Sequence, residues 1–394
     1  MTVSNQQNTQ KQEIEQPKLK KHFGLPGNEM PNGSIPTPKL PFTIDQVRKR
    51  IPKECFEKNL TKSMMYMLRD WFFVFLCYQL QPYFFNFGIL GKFIWWNITG
   101  FFGWCLFVVA HDCGHSTFSN YKWINTIVGH ICNAPILVPF HGWQNSHRKH
   151  HQYHAHIDKD HSWKPLTFDE YEEYGWAYYV RFNVLCLIAY PYYLLKESNK
   201  GGFSGNHFNP WSPMYKPHER LGAACSALSV IGFLGFLFYN WDFVTLLNGY
   251  FAPYIVFVCW LDLVTYLQHS DEKALSYRDD VWEYFLGAFS TIDRDFGSII
   301  NHLHHNIETH VVHHIFFTQI PHYNLVKATN AVKDMFGDWY IKDTTPIWKA
   351  LFRSLKQCHF VPNQGKQVKY EGKQAYPTYK ALQEKQKQQQ QKVE

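Results

Sequence analysis

The chain alternates long apolar runs with polar segments. Four of these runs, at 71–90, 93–110, 221–239 and 250–268, are almost free of charge. Each is about as long as a bilayer's hydrocarbon core is thick when it forms a helix. Two residues separate the first pair, and a short loop without lysine or arginine joins the second pair. The pattern predicts an all-α integral membrane protein with four transmembrane helices arranged as two hairpins.

Two further apolar stretches compete as membrane spans. They lie at 123–143 and 176–195, and each contains a proline together with a histidine or an arginine. Such residues weaken a predicted span without excluding it. Whether these stretches cross the membrane depends on the side of the membrane on which the histidines lie.

Charge and composition place the chain at a membrane. Lysine and arginine crowd the first 70 and the last 50 residues, the net charge is +7, and aromatic residues make up 18 % of the chain. No basic motif with interleaved aromatics indicates a nucleic-acid partner, so these charges predict cytosolic termini beside anionic membrane lipids. The nine cysteines form no CxxC pair, which is typical of a reducing compartment. The predicted divisions are a disordered tail at 1–40, a membrane domain at 41–360 and a polar Gln/Lys-rich tail at 361–394.

The histidines are unevenly distributed and carry the candidate chemistry. The chain has 22, and three clusters read HDCGH, HRKHH and HVVHH. In a helix, positions i, i+3 and i+4 share one face, so each cluster presents two or three imidazoles in one direction. Neutral imidazole is a common ligand of transition metals, and eight such donors suit two ions. The eight residues are His111, His115, His147, His150, His151, His310, His313 and His314.

A purely structural role for these histidines is the alternative. One HxxxH on a helix is common and needs no metal, but three clusters just outside apolar runs favour a metal centre. The chain contains neither the ExxH spacing of soluble di-iron bundles nor the HExxH of zinc proteases. No general base stands nearby, so redox iron is favoured over hydrolysis, although ligand type alone also allows copper or zinc.

A shared site constrains the topology. If the three clusters bind one metal centre, an even number of crossings separates each cluster from the next. The stretches at 123–143 and 176–195 are then re-entrant or lie on the membrane surface. This predicts four spans with a cytosolic helical cap that holds the histidine-rich site.

The three clusters and their flanking sequence match a known family. HDCGH, HRKHH and HVVHH are similar to the three histidine boxes of membrane fatty acid desaturases. The segments at 43–60, 146–163 and 305–329 resemble the methyl-end group, which contains the Δ12 and ω-3 desaturases. The resemblance covers about residues 40 to 360.

The resemblance implies an activity and its partners. It implies an oxygen-dependent enzyme with two iron ions that introduces a cis double bond, at the Δ12 or ω-3 position, into an unsaturated fatty acyl chain carried by a lipid or by CoA. It further implies the endoplasmic reticulum membrane, a cytosolic active site, and cytochrome b5 with its NADH-dependent reductase as electron donor. The eight box histidines would be the catalytic iron ligands. One more ligand outside the boxes is implied, with His269 and His305 as candidates.

Three other functions stay open at this stage. Fatty acyl hydroxylases and acetylenases share the same boxes. A histidine-rich metal transporter is a third possibility, but transporters bind their ions near the bilayer midplane, whereas these clusters lie outside the apolar runs. Desaturation of an unactivated chain also requires an apolar tunnel, and the aromatic and leucine residues of the spans are expected to line it.

Other polar residues near the boxes are expected to have supporting or structural roles. Asp112 is expected either to orient a box histidine or to be a solvated charge at a helix end. Asp262 interrupts the fourth span about 10 Å from His269 along a helix, and is expected to pair with a basic residue or to lie near a polar feature of the acyl channel. Six histidines are expected to support the ligands or to lie at the surface: His154, His156, His161, His302, His304 and His322.

Overall fold

The fold is described by a computed structural model that covers residues 39–160, 162–174, 187–196 and 205–391. Most of the predicted tail at 1–40, much of the stretch at 176–195, and His161 lie outside the described residues. The described chain is mostly helical, as the apolar pattern predicts.

The helices are numbered here in chain order. They are α1 Ile44–Arg50, α2 Leu60–Phe85, α3 Gly88–Gly114, α4 Lys122–Asn133, α5 Phe140–Gln152, α6 Phe168–Glu173, α7 Tyr190–Leu195, α8 Arg220–Asn240, α9 Phe243–Leu246, α10 Ala252–His269, α11 Tyr284–Ala288, α12 Ser298–Leu303, α13 Val311–Ile315, α14 His322–Phe336, α15 Ile347–Gln357 and α16 Tyr376–Gln391. The strands are β1 Leu275–Tyr277, β2 Asp293–Arg294, β3 Lys342–Asp343 and β4 Gln367–Lys369. Strands β1 and β4 pair antiparallel, and β2 and β3 pair parallel.

Within the described residues, three helical segments are long and apolar enough to cross a membrane. They are Gly88–Gly114, Pro217–Asn240 and Phe243–His269. A fourth crossing is possible if Lys122–Ile136 and Phe140–Gln152 together form one span, but the chain direction bends by 102° between these two helical segments. The helix of the first predicted span, α2, is not among the three; its sequence includes Arg69, Asp70, two glutamines and Pro82. Four spans as two hairpins therefore remain a prediction.

The first hairpin turns earlier than the sequence suggested. The break was predicted at 91–92, but α2 ends at Phe85 and α3 begins at Gly88. Gly88 has a φ of +64°, a left-handed conformation that glycine adopts without steric cost. The two helices then pack through aromatic side chains, since Phe73 and Phe102 stack with ring centroids 4.6 Å apart.

The third helix is the central element of the membrane domain. From Phe101 to Cys113 nearly all its residues are buried, with α2 on one side and α10 on another. A Cβ added at Gly100 would lie 2.4 Å from the carbonyl oxygen of Pro253. The missing side chain therefore allows α3 and α10 to approach closely. This packing brings the ends of both helices, which carry histidines, to the same place.

The C-terminal segment departs from the predicted polar tail at 361–394. Strand β4 pairs antiparallel with β1, with Leu275 opposite Lys369. Val361 and Val368 are buried against Ile157. These two valines are apolar, and the free edge of β1 offers backbone hydrogen bonds, so the segment folds onto the domain instead of extending into solvent. Helix α16 contains the densest run of glutamine and lysine in this segment.

Candidate metal centre

Four structural elements deliver histidines to one region beside the membrane helices. His111 lies in the last turn of α3, and His115 follows its end. The last two turns of α5 carry the HRKHH histidines, and α10 ends at His269. In the third box, His310 is the N-cap residue of the short helix α13, and His313 and His314 lie within it. The chain thus brings all eight box histidines together from segments that are far apart in sequence.

Five histidines form the first group. Their ligating nitrogens all lie within 4.8 Å of one another. The Nε2 atoms of His111 and His115 are 3.2 Å apart, and those of His147 and His151 are 3.1 Å apart. Both pairs have the i, i+4 spacing of one helix face. The group consists of His111, His115, His147, His151 and His313.

Four buried histidines form the second group, namely His150, His154, His269 and His314. The Nε2 atom of His310 lies 3.1 Å from the Nε2 atoms of both His269 and His314, so His310 stands beside this group. His150 and His151 are neighbours in the chain but serve different groups, because consecutive helical residues point about 100° apart.

The donors fit two metal ions. Among the residues that the structure describes, the Nε2 atoms of His150, His154 and His313 are buried without a hydrogen-bond partner. An unsatisfied buried polar atom costs on the order of 1–3 kcal/mol. Metal ions held between the converging nitrogens would satisfy these lone pairs. Imidazole ligands suit iron, copper or zinc, and an all-nitrogen set of this size suits two ions.

Burial keeps these imidazoles in the ligating form. It lowers the pKa of His313, His314 and His310 well below the ordinary value, and neighbouring imidazoles lower the pKa further. These rings are therefore neutral at physiological pH, which is the form that binds a metal.

Asp160 orients His150 and lies beside His154, and both histidines belong to the second group. One carboxylate oxygen lies 2.8 Å from Nδ1 of His150, and the other lies 3.3 Å from Nδ1 of His154. The backbone N–H groups of Ser162 and Trp163 also donate to this carboxylate, at 3.0 and 2.9 Å. Burial opposes ionisation, but His150 lowers the pKa of Asp160 below the ordinary range, so the carboxylate is charged. The sequence reasoning gave this residue no role, although it lies ten positions after His150.

Asp293 holds the third box in place. Its Oδ1 accepts the backbone N–H groups of His310 and Val311 at 2.6 and 2.9 Å, and its Oδ2 accepts the hydroxyl of Tyr340 at 2.7 Å. Burial raises the pKa of Asp293 to about 6. Through its two backbone hydrogen bonds the carboxylate caps the start of α13 and fixes the position of His310.

His305 lies outside both groups, although the sequence offered it as an alternative extra ligand. Its Nε2 lies 2.6 Å from a carboxylate oxygen of Asp70, and the Arg69 guanidinium lies beside both residues. Asp70 is buried, so it needs this hydrogen bond, and His305 is committed to it. Of the two candidates, only His269 joins a group.

The secondary predictions have mixed outcomes. Asp112 is buried rather than solvated, and it accepts the backbone N–H and Nδ1 of His322 at 3.1 and 2.8 Å. It stays 3.8 Å from Nδ1 of His111. His154 joins the second group, although it was expected to support the ligands or to lie at the surface. His156 bonds Asp279, and the side chain of His302 is exposed.

A cavity of about 140 Å³ opens onto both groups. Imidazoles of both sets line it, including His111 and His147 of the first and His150 and His269 of the second, with His310 beside them. The remaining wall is largely apolar or aromatic and includes Trp104, Phe107, Val108, Leu261 and Ile307. Such a cavity suits an alkyl chain placed directly beside the metal centre.

Comparison with known proteins identifies similar chains. The family model described as "Fatty acid desaturase" matches residues 64–345. A Nostoc protein named "sn-1 acyl-lipid omega-3 desaturase (ferredoxin)" is 45 % identical over 86 % of this chain and 93 % of its own length. A Synechocystis protein of the same name is 44 % identical over 86 % and 95 %. An Arabidopsis thaliana protein named "Acyl-lipid omega-3 desaturase (cytochrome b5), endoplasmic reticulum" is 42 % identical over 85 % and 89 %.

These names correct two predictions. Cytochrome b5 was expected as the electron donor, but the two cyanobacterial relatives, which are more similar than the plant protein, are named for ferredoxin. The prediction of cytochrome b5 and its reductase is therefore wrong. Only the plant relative of these three is named for the endoplasmic reticulum, so that location is not supported either. The predicted membrane location is supported, because the chain has helices long and apolar enough to span a bilayer.

Proposed function

The chain belongs to the fatty acid desaturase family, and we propose that it introduces a cis double bond at the ω-3 position of a lipid-linked fatty acyl chain. The observation that carries this proposal is the apolar cavity that reaches both histidine groups. The ω-3 position and the lipid carrier are supported by the names of relatives that match most of this chain.

Two iron ions occupy the two groups in this proposal. The first group would hold one ion, and the second group together with His310 would hold the other. Iron in these sites supplies oxygen activation and hydrogen-atom abstraction, which no acid–base side chain can perform on an unactivated methylene. Overall, one hydrogen leaves each of two adjacent methylenes, and one O₂ takes both with two electrons and two protons to give two water molecules.

The protein's own residues place the substrate. Trp104, Phe107 and Leu261 bury the alkyl chain and exclude water from the site. Apolar burial favours binding by about 0.8 kcal/mol per methylene. Because every methylene contributes about equally, burial alone does not select a register. The shape of the cavity beside the imidazoles must therefore decide which carbon–carbon bond reaches the metal centre.

The proposed topology keeps four spans, with α2 as the first of them. Phe72 and Phe75 on α2 are 58 % and 60 % exposed, as expected for side chains that face lipid. Engineered glycosylation acceptors in the loops at 86–87 and 241–242 should be modified in microsomes, and one near residue 170 should not. Modification near residue 170 would contradict a metal site on the cytosolic side.

Ferredoxin is the electron donor in this proposal, supported by the names of the two cyanobacterial relatives. Purified enzyme in lipid nanodiscs should form product when reduced ferredoxin and O₂ are supplied. Product formation with another carrier, and none with ferredoxin, would overturn this assignment while leaving desaturation intact.

Co-expression with ferredoxin and its reductase, in a host that lacks ω-3 fatty acids, tests the activity itself. Gas chromatography with mass spectrometry should show a new fatty acid with one more double bond at the ω-3 position. His313→Ala should abolish this product because it removes a proposed ligand. The exposed His302 provides the matched control, since His302→Ala should retain the product. A hydroxylated or acetylenic product, or an unchanged lipid profile, would overturn the proposal.

A further inference from the structure

Asp262 places a carboxylate within the apolar helix α10. The residue is 9 % exposed and lines the cavity. Its Oδ2 accepts the backbone N–H of Ala189 at 2.8 Å and that of Tyr190 at 3.2 Å. Hydrogen bonds from backbone N–H groups to a carboxylate are stronger than bonds between neutral groups. The carboxylate therefore holds the beginning of α7, more than seventy residues away in the chain.

The segment that Asp262 holds forms one wall of the cavity. Ala189, Tyr190 and Tyr193 all line it. The ring of Tyr190 packs edge-on against Phe107, which lines the cavity from α3, with ring centroids 6.2 Å apart. The hydroxyls of Tyr193 and Ser162 lie 3.0 Å apart, which adds a second attachment. Asp262 thus fixes the start of this wall, while His207 and Asn206 donate hydrogen bonds to the carbonyl oxygens of Leu194 and Leu195 at its other end.

We propose that Asp262 is a positioning residue that determines substrate specificity, because it sets the distance between the α7 wall and the histidine groups. The inference rests on the proposed function and names what selects the reacting carbon–carbon bond. Apolar side chains alone would let the alkyl chain slide, since each methylene is buried equally well. A wall fixed by a carboxylate gives the cavity one shape and therefore favours one register. Asp262 acts through α7 and takes no part in the chemistry at the metals.

Product analysis of variants tests this role. Asp262→Ala should lower selectivity, measured as the ratio of ω-3 product to products with the new bond elsewhere and as the preference between acyl chains differing by two carbons. We expect this ratio to fall by about fivefold, with iron content per folded chain unchanged. Asp262→Asn should retain most of the selectivity, because the amide oxygen still accepts hydrogen bonds. An Asp262→Ala enzyme as selective as the wild type would overturn the proposal.

A matched control distinguishes a role in the cavity wall from the general effect of losing a carboxylate that caps a helix. Asp242 also accepts two backbone N–H groups at a helix start, those of Val244 and Thr245, but it is exposed and does not line the cavity. Asp242→Ala should leave selectivity unchanged. Equal loss of selectivity in both variants would contradict a specific role for Asp262.

Hydrogen–deuterium exchange covers the case in which the alanine variant does not fold. The peptide spanning 187–196 should exchange faster in Asp262→Asn than in the wild type, because neutral acceptors hold these N–H groups less tightly. Unchanged exchange in this peptide would overturn the proposal. A wild-type enzyme without any desaturated product would instead refute the proposed function, so the two failures are distinguishable.

Discussion

Replacing Asp160 with asparagine tests how the second histidine group is held. In the wild type one carboxylate oxygen faces His150 and the backbone N–H groups of Ser162 and Trp163, and the other lies 3.3 Å from the backbone nitrogen of Ala155. Asparagine can keep one oxygen toward the first three partners. Its NH₂ group then points at the N–H of Ala155, so two donors face each other.

The expected cost follows from these contacts. The hydrogen bond to His150 changes from a charge-assisted bond to a neutral one, which is about half as strong. Loss of a carboxylate that orients a ligating histidine typically lowers metal affinity by about 10–100-fold. That range corresponds to about 1.4–2.7 kcal/mol. The second group contains both histidines that Asp160 contacts, so the weakening should fall on one of the two ions.

Iron release into a chelator provides the assay. The wild type should release two irons with similar midpoints, whereas Asp160→Asn should release one of them at a chelator concentration about 10–100-fold lower. Asp279 offers a matched control, because it also bonds a histidine, His156, but is exposed and lies outside both groups. Asp279→Asn should behave as the wild type does. Identical release curves for Asp160→Asn and the wild type would refute the reasoning.

Three further predictions concern the extra ligand and the stability of the cap. His269→Ala should lower the iron content toward one per chain, while His305→Gln should leave two; equal iron loss in both would contradict the assignment of His269. Arg294 is 1 % exposed and bonds Asp271 at 2.8 Å, Asp343 and the carbonyl oxygen of Leu267. Arg353 still pairs with both carboxylates when Arg294 is removed, so Arg294→Met should cost about 1–3 kcal/mol through the lost hydrogen bonds of buried acceptors, measured as a lower Tm in detergent; an unchanged Tm would refute it. The pKa of Asp343 falls to about 2 because hydrogen bonds from nearby side chains outweigh burial. Its ionised form therefore adds stability, on the order of 1 kcal/mol after solvent screening, that is present above about pH 4 and lost as the pH falls toward 2. Asp343→Asn should flatten the Tm profile between pH 2 and 4, and a profile as steep as that of the wild type would contradict this.

Local periodicity was sufficient for part of the site. The spacing of His111 with His115, and of His147 with His151, places each pair on one helix face, and both pairs lie in the first group. The resemblance of the three boxes to fatty acid desaturases is confirmed by the family match and the relatives. Helical character followed from the apolar runs, because runs of that length can satisfy their backbone hydrogen bonds in a membrane only as helices or closed barrels.

Other parts of the site depend on contacts between distant segments. The allocation of His150 to one group and His151 to the other requires the position of α5 relative to α3 and α13. His154 was expected to support the ligands or to lie at the surface, because nothing local distinguishes it from other histidines that follow the second box. Asp293 has no signal of its own, since its role comes from lying beside the start of α13.

The sequence by itself therefore determined the apolar helices, the histidine faces and the family. These features follow from the helix period and from composition, which act between residues a few positions apart. Only the tertiary structure divided the histidines into two groups, placed His269 in one of them and His305 outside both, and placed Asp262 in the wall of the cavity. It also folded 361–369 onto β1 instead of leaving a tail. These outcomes depend on how buried groups from distant segments satisfy one another, and buried Asp70, which takes His305 away from the metal centre, shows why spacing alone could not predict them.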